Sequence, residues 1–222
     1  MNQVAKRYAR FWLGFILLLS IGAGCAEVTQ TAAPATPPPA APAAQPPTGP
    51  VAEAPKWNPG DEWTLSSPDG PFKVKVLGFE GDFTITTSTS ARCAGCKQFR
   101  DRNMVIVKTT GRDPVGLKLL DFPLFVGKTW DSRFDSTSPR GEQFTYHSSC
   151  RILAVEQIAV PAGRFEAYKI HCDYRLYHPW SWQGETMHWY APKAKVSVKT
   201  SDLSRNFWTK PEFELTTYTL KD

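Results

Sequence analysis

Two cysteines separated by two residues form the motif in this chain with the clearest chemical potential. Cys93-Ala94-Gly95-Cys96 has the spacing of a reactive dithiol, and the neighbouring Arg92, Lys97 and Arg100 would favour the thiolate that such chemistry needs. A redox enzyme presents this pair at the start of a helix that follows a buried strand. Here a polar, Thr/Ser-rich segment precedes the pair and a loop-like stretch, residues 97–103, follows it. The sequence therefore favours a structural disulfide in a loop, with thiol oxidoreduction and metal or haem binding as alternatives.

A second pair of cysteines flanks a turn signal. Apolar segments lie on both sides of Pro161-Ala162-Gly163, where the glycine is free to take positive φ, and this arrangement predicts a β-hairpin. Residues that face each other across a hairpin have a constant index sum, so a turn centred on Pro161 puts Cys150 opposite Cys172. The sequence predicts a cross-strand disulfide between them. The same register predicts two further facing pairs, Ile158 with Arg164 and Val155 with Ala167.

The histidines and carboxylates form no recognisable catalytic or metal-binding motif. The histidines lack metal-ligand spacing and oxidised cysteines are not ligands, so neither a metal nor a cofactor is predicted. Glu212 and Glu214 share one face of a predicted strand, which favours a solvated face over the acid and base of a hydrolase. Gly127-Lys128-Thr129 lacks the preceding glycine of a phosphate-binding loop, because that position is Phe122. The four histidines are His147, His171, His178 and His188.

Two tryptophans at alternate positions, Trp180 and Trp182, lie in an aromatic segment bracketed by Pro179 and Gly184. An extended chain puts alternate side chains on one face, so the two indoles would lie side by side. Exposed indoles could stack on sugars or lie at a lipid interface, whereas buried indoles would close one end of the β core. The core plug is the commoner arrangement, and Trp180 and Trp182 are the candidate residues for a ligand or partner face.

Alternation of apolar and polar residues marks the chain after residue 55. It is clearest in Phe72–Leu77, Phe83–Thr87 and Lys195–Lys199, and a period of two predicts half-buried strands. No convincing helical period is present in this part of the chain. The sequence predicts an all-β domain, an antiparallel meander of about 9–10 strands that forms a curved sheet, barrel or sandwich. Further strands are predicted at Met104–Thr110, Lys128–Phe134, Cys150–Val160, Phe165–Tyr177, Glu185–Tyr190 and Phe213–Leu220.

A local repeat appears at two strand starts. Gly60 and Gly127 each lie three residues before a tryptophan, Trp63 and Trp130. This spacing predicts a turn-to-strand arrangement in which the glycine relieves the turn and the indole anchors the core.

Four segments in a fixed order carry a resemblance to known proteins. They are Phe122–Trp130, Val160–Ile170, Trp189–Pro192 and Glu214–Tyr218. This order resembles a broad group of uncharacterised β-rich bacterial envelope proteins, many of them lipoproteins. The resemblance covers residues 121–220 and implies a fold, with no catalytic residues to transfer. Members of the group have a glycine after the dipeptide that corresponds to Ala191-Pro192, where this chain has Lys193, so a different turn is expected there.

The N-terminus has the three parts of a bacterial signal peptide. Lys6, Arg7 and Arg10 precede the apolar run Phe11–Ala23, which is too short to span a bilayer. Small residues then lead directly to Cys25, as in the lipoprotein cleavage box, in which the cysteine is acylated and becomes the mature N-terminus. With Cys25 acylated, the other four of the five cysteines form an even set. Position 22 is glycine where the box usually has an aliphatic residue, so ordinary secretory cleavage is the alternative.

The composition divides the chain into three parts. Residues 1–24 are the predicted signal peptide, residues 25–55 the acylated cysteine and a disordered Pro/Ala-rich linker, and residues 56–222 a single β-rich domain. Nine prolines between residues 31 and 55 favour an extended spacer. The formal net charge of +5 falls to +2 on cleavage, because residues 1–24 contain three basic and no acidic residues. A charge this small gives no reason to expect nucleic acid as a partner.

These observations predict a membrane-anchored envelope lipoprotein with a non-catalytic binding or scaffold domain. The alternatives are a carrier of a hydrophobic ligand in a β half-barrel and a thiol oxidoreductase that uses Cys93 and Cys96. The predicted partners are the lipid bilayer, through Cys25, and an envelope protein, the cell wall or a hydrophobic ligand. Ala26 is not the aspartate that retains such lipoproteins at the inner membrane, so the predicted location is the outer membrane, facing the periplasm.

Overall fold

The computed structural model describes residues 49–138, 140–177, 181–204 and 212–222. The predicted signal peptide, Cys25 and Trp180 lie outside these residues. Within the described residues, no helix is long and apolar enough to cross a membrane. The strands are β1 (Glu62–Ser67), β2 (Gly70–Glu80), β3 (Phe83–Ser88), β4 (Lys97–Arg100), β5 (Ile106–Thr109), β6 (Thr129–Thr137), β7 (Gln143–Val160), β8 (Gly163–Leu176), β9 (Trp182–Ala191), β10 (Val196–Asp202) and β11 (Phe213–Thr219), with a 3-10 turn at Pro192–Ala194.

The eleven strands form one antiparallel sheet in the order β5-β4-β3-β2-β1-β11-β10-β9-β8-β7-β6. Strands β1–β5 and β6–β11 are two meanders, and the pairing of β1 with β11 joins them. The predicted all-β antiparallel meander is confirmed, with one or two strands more than expected. The sheet is open, with β5 and β6 at its edges. Residues from the connection between them bridge both edges, because Val115 pairs with Asp135 and the Gly116 N–H donates to the Ile106 carbonyl (2.9 Å).

The buried side chains form two clusters on one face of the sheet, which we call the inner face. One cluster lies on β6–β9 and includes Leu120 and Leu124 from the β5–β6 connection. The other extends over β1, β2 and β7–β11 and includes Trp63 and Leu215, and Met104 packs against both. Both clusters lie on one face of the sheet because the two-residue period of the sequence gives each strand one apolar and one polar face.

Both glycine–tryptophan repeats form the predicted turn-to-strand arrangement. Gly60 and Gly127 have φ values of +92° and +90°, which favour glycine. The Trp63 indole is fully buried and donates to the Ala194 carbonyl (2.7 Å), and the Trp130 indole donates to the Lys118 carbonyl (2.9 Å). Each indole therefore ties its strand to a segment distant in sequence.

Strands β7 and β8 form the predicted hairpin. Cys150 faces Cys172 and is bonded to it, so the predicted disulfide is confirmed; we call it the hairpin disulfide. Val160 pairs with Gly163, which leaves Pro161 and Ala162 as the two residues of the turn.

The predicted register is wrong beyond the hairpin disulfide. Leu153 is an extra residue between the pairs formed by Ile152 and Ala154, and this bulge shifts the later pairing by one position. Ile158 therefore faces Phe165 instead of Arg164, and Val155 faces Tyr168 instead of Ala167.

Residues 97–100, expected to be loop-like, form strand β4. This strand pairs with β3 on one side and β5 on the other, and it follows the bonded pair Cys93–Cys96, which we call the loop disulfide. Its inward residues, Gln98 and Arg100, are polar, so the strand lacks the apolar alternation on which the sequence prediction relied.

The packed domain begins before residue 56. Ala52, at the predicted end of the linker, is buried and exchanges two backbone hydrogen bonds with Leu124 (2.9 and 2.8 Å). At the turn after Pro192, Lys195 takes the left-handed conformation (φ +58°) and its N–H donates to the Pro192 carbonyl (3.1 Å). A lysine thus adopts a backbone conformation that glycine adopts more easily.

Candidate functional site

The outer face of β6–β8 carries a depression of about 600 Å³ that is lined mostly by polar and charged residues. Strand register places Arg133, His147 and Arg175 side by side across these three strands. We call this set the guanidinium row, and all three side chains are exposed. Tyr177, which is 62% exposed, packs edge-on against His147, with ring centroids 5.5 Å apart.

A row of opposite charge lies two residues further along each strand. Register places Asp131, Ser149 and Asp173 side by side, and we call this set the carboxylate row. Neighbouring strands are about 4.8 Å apart and residues two apart on a strand about 7 Å apart, so the rows are close and parallel. The depression therefore presents a cationic strip beside an anionic strip.

The hairpin register predicted from the sequence already contained the β7–β8 part of these rows, although the rows themselves were not predicted. The pairings of His147 with Arg175 and of Ser149 with Asp173 have the same index sum as the pairing of the two cysteines, because all lie before the bulge. The signal for the rows in the sequence is the alternation of charged residues along strands that were predicted from their apolar residues.

A histidine and two carboxylates meet at the border of the carboxylate row. His171 Nδ1 lies 3.7 Å from Asp173 Oδ2, and its Nε2 lies 3.3 Å from Glu185 Oε2. The potential ligand atoms of these residues are within 4.8 Å of one another, a grouping that sequence spacing did not reveal. Each carboxylate faces a different ring nitrogen: Glu185 is within hydrogen-bond distance of His171, and Asp173 makes a longer contact.

A polar network is buried on the inner face of β8–β10. His188 Nε2 lies 2.7 Å from the Thr186 hydroxyl and 3.3 Å from the Tyr174 hydroxyl, and Nδ1 lies 2.9 Å from the Thr200 hydroxyl. Burial, with a smaller contribution from the charge of His171, lowers the pKa of His188 to about 4. Burial also raises the pKa of Tyr174 well above its usual range. The network is thus neutral at ordinary pH and holds three strands together.

The loop disulfide lies in an environment that opposes thiol chemistry. Its two cysteines are only 6% and 8% exposed, and Asp113 Oδ2 lies 3.7 Å from Cys96 Sγ. A carboxylate at this distance would repel the thiolate that nucleophilic sulfur chemistry requires. Of the basic residues beside the motif, Arg100 donates its hydrogen bonds to Thr86, Gln98 and Met104 instead.

Arg100 is the centre of that second network, between β3 and β4. It donates to Thr86 Oγ1 (3.0 Å), to Gln98 Oε1 (2.8 Å) and to the Met104 carbonyl (2.9 Å). Burial lowers its pKa to about 10, against the attraction of Asp113, which raises it. Arg100 therefore remains charged, and its hydrogen bonds explain why a polar segment forms a strand here.

Of the two candidate tryptophans, only Trp182 lies in the described residues. It starts β9, is half-buried, and packs edge-on against Tyr146 with ring centroids 6.0 Å apart. It also contacts the inner cluster on β6–β9, which is the arrangement that the core-plug alternative describes. A ligand or partner face at Trp180 and Trp182 stays a prediction.

The glutamate pair behaves as a solvated strand face. Glu214 on β11 forms an ion pair with Lys199 on β10 (2.6 Å), while the next residue, Leu215, is fully buried on the opposite face. Glu212 precedes β11.

The inner face of β6–β9 is filled by side chains of the chain itself. Leu120, Phe122 and Leu124 pack on its apolar cluster, and the Phe122 ring meets the Tyr190 ring edge-on at 5.4 Å. A carrier in a half-barrel would need this face open to a hydrophobic ligand. Side chains of the β5–β6 connection cover this face instead.

Comparisons with known proteins bear on the fold. No family model matches the chain, and no curated protein matches it by sequence. A predicted exported protein with a YmcC-like fold from Bacteroides fragilis is 12% identical, with a TM-score of 0.50, and the match covers 76% of this chain and 99% of that chain. The hypothetical lipoprotein YmcC from Escherichia coli (12% identity, TM-score 0.47, 74% and 89% covered) and a predicted lipoprotein from Parabacteroides distasonis (11%, 0.45, 77% and 100%) are similar to a lesser extent. The predicted resemblance to β-rich bacterial envelope proteins is therefore confirmed at the level of the fold.

Proposed function

We propose that this chain is a lipid-anchored protein of the bacterial cell envelope whose β domain binds or positions an envelope component without catalysing a reaction. The state of the cysteines carries this proposal. All four cysteines of the domain are joined in two disulfides, so Cys25 is the one cysteine left for a lipid. Disulfides also accumulate in proteins of oxidising compartments such as the periplasm.

The fold and the N-terminus also support a location in the cell envelope. One solved structure that shares the fold is that of a protein predicted to be exported. In this chain a signal peptide, an acylatable cysteine and a proline-rich spacer precede the domain. The spacer would hold the domain away from the membrane, with its outer face free to meet other molecules.

The distribution of polar groups supports binding over catalysis. The inner face is filled by its own side chains, and the loop disulfide is buried beside a carboxylate. The outer depression, in contrast, presents charged side chains to solvent. Binding at this surface requires only charge complementarity, whereas catalysis would also require activated groups.

Lipid attachment is tested by metabolic labelling. Labelled palmitate should enter the full-length protein and vanish in Cys25→Ser, while Ala26→Ser, a conservative change at the next residue, should keep the label. The wild-type protein should fractionate with the outer membrane. Ala26→Asp, which supplies the retention residue, should move it to the inner membrane. Labelling that survives Cys25→Ser would overturn the anchoring.

The non-catalytic role of the loop disulfide is tested with insulin reduction. The full-length protein should reduce insulin no faster than Cys96→Ser, because the bond is structural. Enzyme-like turnover that disappears in Cys96→Ser would show that the domain is a thiol oxidoreductase.

A further inference from the structure

Most of the charged side chains in the outer depression have no charged partner within the described residues. Among the described residues, Arg133 and Arg175 form no ion pair and no side-chain hydrogen bond, and the same is true of Asp131. Asp173, the fourth charged member of the two rows, has one ion-pair contact within the described part of the chain, with His171. Elsewhere in the domain, some lysines and carboxylates on neighbouring strands form ion pairs, as in Lys199 with Glu214.

The guanidinium row places its two arginines on either side of His147, with no carboxylate among its members. An anion that entered between the two arginines would balance their charges. Arg133 and Arg175 are two strands apart, about 10 Å between backbones, so an oxyanion over His147 would have one guanidinium on each side. Guanidinium groups bind carboxylate and phosphate through paired, charge-assisted hydrogen bonds.

The carboxylate row supplies the complementary half of the site. Asp131 and Asp173 lie on either side of Ser149, so an ammonium over Ser149 would have one carboxylate on each side. Because His147 and Ser149 are two residues apart on β7, the two positions are about 7 Å apart along the strand. A long polyanion would be repelled by the carboxylate row, and a polycation by the guanidinium row. The arrangement selects a ligand that carries both charges at this spacing.

We propose that the depression on the outer face of β6–β8 binds a small zwitterion, such as the end of a lysine-terminated peptide or a free ω-amino acid, with its oxyanion in the guanidinium row and its ammonium in the carboxylate row. Tyr177 packs on His147 at the border and supplies an apolar wall for the connecting methylenes. The proposal deepens the binding role proposed above by naming the chemistry of the ligand and the surface that receives it.

Isothermal titration calorimetry on the full-length protein in detergent tests the site. The probe is 6-aminohexanoate, whose extended chain matches the spacing of the rows, and hexanoate and hexylamine are its singly charged analogues. The zwitterion should bind at least about tenfold more tightly than either analogue, since each lacks half of the charge-assisted contacts. A short peptide ending in lysine, compared with the free amino acid, identifies the source of the ligand; binding of either supports the site.

Paired variants assign the binding to the two rows. Arg133→Gln/Arg175→Gln and Asp131→Asn/Asp173→Asn should each weaken binding by about tenfold or more. Arg164→Gln, which removes an exposed arginine at the β7–β8 turn, should leave binding unchanged. In the unsubstituted protein, the zwitterion should shift the ring proton resonances of His147, a readout that does not depend on any variant.

Several results would overturn the site. They are an absence of heat and of any His147 shift with every probe, equal binding of the singly charged analogues, or an equal loss in Arg164→Gln. Failure of this site is distinguishable from failure of the proposed function. If palmitate labelling and outer-membrane fractionation persist without zwitterion binding, only the proposed binding site is refuted. If the zwitterion binds but the protein is not labelled, only the proposed membrane anchor is refuted.

Discussion

His188 should make the stability of the domain depend on pH between about 7 and about 4. The ring is 3% exposed, and burial lowers its pKa from 6.5 to about 4. In the folded state it therefore takes up a proton only near pH 4, whereas in the unfolded state it does so near pH 6.5. The stabilisation is complete above pH 6.5 and is lost as the pH falls toward 4. Each pKa unit is worth about 1.4 kcal/mol, so the loss is about 3 kcal/mol.

The assay is urea unfolding followed by tryptophan fluorescence at several pH values in this window. His188→Asn removes the titrating group and keeps polar atoms near Thr186 and Thr200, so it should be less stable at neutral pH but lack this 3 kcal/mol dependence. The difference between the two proteins isolates His188 from every other titrating group. If wild type and His188→Asn lose stability in parallel between pH 6.5 and 4, the ring is not held neutral by burial and the reasoning fails.

Three further predictions concern packing, charge and the covalent bond. Gly111→Ala should lower the free energy of unfolding by about 1–3 kcal/mol, because the new Cβ would lie 2.8 Å from Cys96 Sγ. Gly78→Ala, whose new Cβ would have no atom within 4 Å, should be nearly neutral. Equal melting temperatures for the two variants would contradict this. Asp61→Ala should lower the free energy of unfolding by about 3–5 kcal/mol, because its fully buried carboxylate accepts three hydrogen bonds. Glu62→Ala, at the partly buried next residue, should lower it by under about 1 kcal/mol in urea unfolding. Reduction of the hairpin disulfide should destabilise the domain by roughly 3 kcal/mol, since its cysteines are 22 residues apart, and an unchanged urea midpoint in reductant would refute the estimate.

The elements that the sequence predicted are those whose apolar residues alternate. Strands β2, β3 and β10 were identified in this way, because a half-buried strand records its environment directly in its residue pattern. Strand β4 was missed for the opposite reason. Its inward residues are satisfied by a hydrogen-bond network around Arg100, and a buried polar network leaves no periodic apolar signal.

The N-terminal half of β7 illustrates the same limit. The sequence predicted a strand from Cys150, whereas β7 begins at Gln143. Residues 143–149 are mostly polar, and the inward Ser148 is satisfied by a hydrogen bond to Ser132 across the strand pair (2.7 Å). The candidate depression lies on the outer side of this polar segment, so the strand and the site were missed together.

The hairpin disulfide links the covalent structure to the candidate site. A slip of one residue in the pairing of β7 with β8 would send every side chain of one strand to the opposite face. The bond between Cys150 and Cys172 forbids such a slip, and it lies next to Ser149 and Asp173 in the register. The bulge at Leu153 lies on the other side of the bond, so its shift does not reach the guanidinium and carboxylate rows. A covalent bond on the inner face thus fixes which charges meet on the outer face.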